Sequence, residues 1–119
     1  MEIKTLLPWI VGGVGAWAVL MGVLHDIFVL AGEHGRKYDR NLLRLLMDGH
    51  ILITCGAVLL VAFTGIRTLE PWALVLSIVA AVSLIGYVAM IWPFLKSVGT
   101  LAFSLTVLVT SVIALLSRG

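Results

Sequence analysis

Four apolar runs, each long enough to cross a bilayer and separated by short breaks, govern what this chain can fold into. A spanning helix needs about 20 largely apolar residues to cover a hydrocarbon core about 30 Å thick. Residues 6–30, 42–66, 72–95 and 98–116 each supply such a run. Between them lie one extended polar loop, residues 32–40, and two tight turns at 67–71 and 96–97. Connections this short make sequential helices antiparallel neighbours. The expected architecture is therefore an all-α integral membrane protein, an up-down-up-down bundle of four transmembrane helices forming one domain over residues 1–119.

Composition excludes the soluble alternatives. The chain is 61% hydrophobic and 12% charged with mean hydropathy +1.17, whereas soluble domains run near 45–50% apolar and about 25% charged. No polar segment is long enough for a separate water-soluble domain. The net charge of +2 is small and dispersed, which leaves no basic footprint for nucleic acid. Cys55 is the single cysteine and sits inside an apolar run. It forms neither an intrachain disulfide nor a cysteine metal site and reads as a small buried hydrophobe.

At the N-terminus, Lys4, an apolar run and Ala16-Trp17-Ala18 imitate a signal peptide. The run continues to Leu30, which is too long for such a leader, so it reads as a retained helix.

Local punctuation agrees with four helices. Pro8 and Pro71 fall in the expected first turns of spans one and three, where a missing N–H costs nothing. Asp39 is placed to cap a helix beginning at Arg40 or Asn41. Pro93 marks a stop or kink. Trp9 and Trp72 belong to one membrane face, Tyr38 and Trp92 to the other, as interfacial aromatics do. Arg36, Lys37, Arg40, Arg44 and Lys96 lie on the face of the 1–2 and 3–4 connections, against Lys4, Arg67 and Arg118 opposite. Under the positive-inside rule this bias points to those two connections being cytoplasmic; the expected setting is a bacterial-type inner membrane.

Membrane helices associate through close packing and hydrogen bonds, because lipid is as apolar as leucine. Span one offers Gly12 and Ala16, and beside them a stripe of Gly15, Ala18 and Gly22 that leads to His25 and Asp26. The expected packing side of span two is His50, Thr54, Ala57, Val61 and Thr64 or Gly65. Span three contributes Ser83 and Tyr87, and span four Thr100, Ser104 and Ser111. Trp17 and the methionines read as packing residues.

The chemistry, if any, lies at two interruptions. His25 and Asp26 sit near the end of span one, Asp48 and His50 near the start of span two. An ionisable group at membrane depth costs about 2.5–3.5 kcal/mol on insertion scales, so it usually faces a protein interior. At about 1.5 Å per residue both pairs lie roughly 8–12 Å inside one membrane face, with Tyr87 as a hydrogen-bonding partner from span three. The expected function is an intramembrane His/Asp site that binds or transports a small ligand, proton or ion.

Other readings stay open. The pairs can be a polar latch between helices, with Asp48 and His50 at the interface and a short surface helix over residues 41–47. His25 and His50 can ligate a haem iron or, with Asp26 and Asp48, a divalent ion, although no HExxH-type spacing is present. A lipid-acting enzyme would use His and Asp as acid and base, without a GxSxG nucleophile signature. An accessory subunit would use its small-residue stripes against a larger membrane partner, and a homo-oligomer would use them against itself. The residues alone name no cofactor and do not decide whether the chain is an enzyme. Arg36, Lys37, Arg40 and Arg44 are set by topology or take lipid headgroups.

Overall fold

The computed structural model describes residues 2–118. It places in them α1 (Ile3–Ala31), α2 (Arg40–Ile66), α3 (Pro71–Ile91) and α4 (Val98–Arg118), with one 3-10 turn at Glu33–Arg36. All four helices are long and apolar enough to cross a membrane. The chain is thus an all-α membrane protein, 52 Å along its longest axis. α1 lies against α2 and α4, and α3 lies against the same two helices, so the four form a square. One end, the loop face, carries the α1–α2 and α3–α4 connections. The other, the terminal face, carries the start of α1, the end of α4 and the α2–α3 turn.

Helix boundaries follow side-chain and backbone chemistry. Asp39 caps α2 as its spacing requires, its carboxylate accepting from the Leu42 N–H at 2.9 Å. Pro71 occupies the first turn of α3, with Glu70 as the preceding cap residue. α2 runs unbroken from Arg40, so there is no separate surface helix over residues 41–47. Two expectations need correction. α1 begins at Ile3, which puts Pro8 in its second turn instead of its first; the carbonyl it leaves free is that of exposed Lys4, within reach of water. α3 ends at Ile91, four residues short of the expected Leu95. Pro93 accounts for this, because it has no N–H to give the Ala89 carbonyl and its ring crowds that oxygen, while Trp92 itself keeps helical dihedrals of φ −52° and ψ −41°.

The α2–α3 turn closes through two backbone bonds, Glu70 N–H to Gly65 O at 2.9 Å and Leu69 N–H to Ile66 O at 3.0 Å. This is a Schellman closure, which asks for a left-handed residue. Leu69 supplies it at φ 53°, a conformation glycine would adopt without strain.

α1 and α2 pack through their backbones. Gly15 faces Gly56 and Gly22 faces Gly49, so the stripe of Gly15, Ala18 and Gly22 is buried as expected. The packing side of α2 is different from the one expected. Gly49, Cys55, Gly56, Leu59, Ala62 and Gly65 face inward, while His50, Thr54, Ala57, Val61 and Thr64 are exposed on its outer side. Gly49 and Gly56 decide the matter, since they let α1 approach more closely than the threonine side would. Ala16 and Ser83 also face outward, whereas Thr100, Ser104 and Ser111 are buried on α4. Ser77 and Ser104 donate to carbonyls four residues back, Ala73 O at 3.0 Å and Thr100 O at 2.6 Å, so these buried hydroxyls are satisfied within their own helices.

The main apolar cluster fills the half of the bundle nearer the terminal face. It joins Leu7, Val11 and Val14 to Leu59, Ala62, Ile66, Leu74, Ala81 and Val107. Trp17 meets Phe103 edge-on at 4.8 Å between ring centroids, tying α1 to α4. The half nearer the loop face is packed differently.

Candidate functional site

A cleft of about 670 Å³ opens at the loop-face end, between α2 and α3, with α1 and α4 behind it. α2 contributes Asn41, Arg44, Leu45, Asp48 and Leu52, which recur at helical spacing and so share one face. α3 and its following turn contribute Tyr87, Met90, Ile91, Phe94 and Leu95. His25 enters from α1, Thr100 from α4, and His34 and Ser97 from the two connections. Ser97 and Thr100 are joined by a 2.8 Å hydrogen bond, Ser97 donating. The volume falls within the roughly 300–1,000 Å³ of small-ligand sites, and the lining has their usual character, apolar walls with a few polar groups.

The polar groups are arranged by depth. Arg44 and His34 are exposed at the mouth. Asp48 lies one helical turn further in, about 12 Å along the axis from the start of α2 at the usual rise. Tyr87 lines the same cleft from α3. Asp48 has no ion pair: among the described residues the single charge pair is His25–Asp26. Arg44 therefore shares a cleft with Asp48 without neutralising it. Leu52 lies deepest, one turn beyond Asp48, while Thr100 enters from the first turn of α4; beyond Leu52 the apolar cluster closes the interior.

Of the residues proposed from the sequence, the fold brings His25, Asp48 and Tyr87 to this one space. Asp26 is close to His25, Oδ1 to Nδ1 3.4 Å, but its carboxylate turns to the α1–α2 seam, where a side chain on Gly49 would collide with it. His50 does not join them. It is exposed on the outer side of α2, because two residues along a helix turn it about 200° from Asp48. His25 and His50 consequently share no coordination space, and among the described residues no three His, Cys, Asp or Glu side chains come together to hold a metal. Of the four basic residues considered for headgroups, Arg44 lines the cleft, and Arg36, Lys37 and Arg40 are exposed outside it.

Sequence reasoning considered Arg44 only for topology or lipid headgroups and missed Asn41 and the apolar wall of Leu45, Leu52 and Ile91 altogether. A signal was present in the spacing of 41, 44, 45, 48 and 52, one polar-edged face of a spanning helix. No protein-family model, no curated protein and no solved structure matches the chain.

Proposed function

We propose that this protein binds a small amphipathic molecule within the membrane, in the cleft at the loop-face end of its bundle. The observation that carries the reading is the cleft itself, with its apolar walls and the unpaired Asp48 carboxylate, Tyr87 and His25 around it. An uncompensated acid at membrane depth is costly, and a bound ligand or proton is the natural way to offset it. Closure of the far half by the apolar cluster favours binding, or carrying by rearrangement, over conduction through a single chain. The charge bias of the connections supports a cytoplasmic loop face.

A second copy of the chain completes this reading. The outward residues of α2, His50, Thr54, Ala57, Val61 and Thr64, recur at alternating four- and three-residue steps, the period of a left-handed helix pair. Threonine and histidine on a lipid-facing side gain partners there that lipid does not offer.

Native mass spectrometry of gently extracted protein tests the binding reading. The expected result is a retained small molecule at one per chain that is absent from Leu52→Trp, whose indole would fill the base of the cleft. An unchanged adduct on Leu52→Trp would place the ligand elsewhere and end the proposal.

A further inference from the structure

The cleft carries opposite charges in a fixed order, and that order specifies its ligand. Resting on the binding reading above, we infer that the cleft takes a zwitterionic amphiphile, with its acidic group at Arg44 and its amine at Asp48. Arg44 and Asp48 stand one turn apart on the same face of α2, a separation of about 5–6 Å between Cβ atoms. They make no ion pair with each other. An anion alone would leave Asp48 unneutralised, and a cation alone would leave Arg44 to repel it at the mouth. A head group with an acid beside an amine satisfies both.

The surroundings give the head its direction. His34 adds a second donor at the mouth beside Arg44. Asp48 lies one turn further in than Arg44, in the same cleft as Tyr87, so the amine is the inner group. The apolar tail leaves sideways. Met90, Phe94 and Leu95 form the α3 side of the cleft yet are 77%, 84% and 63% exposed. These side chains continue the cleft wall onto the lipid-facing surface, so a chain attached to the acid can pass over them into the bilayer. The ligand thus enters head first from the bilayer between α2 and α3.

Three probes with the same tail test this on the detergent-extracted protein by titration in native mass spectrometry: dodecyl phosphate, dodecylamine and dodecylphosphoethanolamine. The expected result is one bound dodecylphosphoethanolamine, at least about tenfold tighter than either singly charged probe, the size expected for one charged hydrogen bond. Arg44→Gln should then turn the preference toward dodecylamine, and Asp48→Asn toward dodecyl phosphate. Arg44→Lys, which retains the charge, should keep the zwitterion and guards against a folding defect in Arg44→Gln. Tail-free phosphoethanolamine separates a lipid source from a soluble one. Binding as tight as that of the tailed probe would remove the bilayer route. If all three probes bind equally and both charge variants leave the order unchanged, while Leu52→Trp abolishes binding, the head-group inference is wrong and the cleft reading stands. If no probe binds, or Leu52→Trp binds as wild type does, both are wrong.

Discussion

Gly22 of α1 and Gly49 of α2 meet backbone to backbone: a Cβ on Gly22 would come within 2.5 Å of the Gly49 carbonyl oxygen. The same contact lets the Asp26 carboxylate lie over Gly49, where no side chain would fit. Two turns away Gly56 repeats the arrangement, its added Cβ falling 2.7 Å from the Gly15 carbonyl. These glycines set the distance between α1 and α2 and so hold His25 against the back of the cleft.

Gly22→Ala and Gly49→Ala should each destabilise the bundle by about 1–3 kcal/mol, because backbone cannot yield as a flexible side chain can. Gly86→Ala is the control, since nothing lies within 4 Å of its added carbon. It should be neutral or stabilising by up to about 1 kcal/mol through helix propensity. Thermal or denaturant unfolding in detergent measures all three. Equal effects at the three positions would refute the seam.

The two histidines should separate by function. His25→Gln removes an imidazole from the cleft and should weaken ligand binding about tenfold, the loss of roughly one good hydrogen bond. His50→Gln alters an exposed outer side chain and should leave binding unchanged. Titration of each purified variant with the co-purifying ligand checks this, and a larger loss in His50→Gln would reverse the assignment.

The sequence made the spans legible because length and apolarity are one-dimensional properties, and Asp39 and Pro71 declared their helix ends through local chemistry. Pro8 and Pro93 were harder to place, since a proline restricts a boundary without fixing the residue where it falls. The site was half legible. The depth of His25, Asp48 and Tyr87 follows from counting residues, and that depth brought them to one end. Rotation about the helix axis does not follow from counting. Threonine and glycine stripes both look like packing surfaces, and only the closer approach allowed by Gly49 and Gly56 turned His50 outward. The apolar wall of the cleft was invisible for a different reason: leucine, isoleucine and phenylalanine lining a cavity are indistinguishable in sequence from those facing lipid.

The outer stripe of α2 should self-associate. In a Cys55→Ala background, Ala57→Cys should cross-link to its counterpart in a second chain within native membranes, about the two-fold axis of a parallel pair. Val75→Cys, on the exposed side of α3, should cross-link far less. Comparable dimer bands from both positions on a non-reducing gel would remove α2 as the seam.

Water access along the bundle is the most direct test of a cleft that opens on one face and ends inside. Single cysteines at Leu52, Thr100, Ala81 and Val107 in the Cys55→Ala protein would be exposed to a small charged thiol reagent in reconstituted vesicles. The account predicts fast labelling at Leu52 and Thr100 from the loop face, slowed by ligand, and none at Ala81 or Val107. Protection at all four positions, or labelling as fast at Ala81 and Val107 as at Leu52, would contradict it.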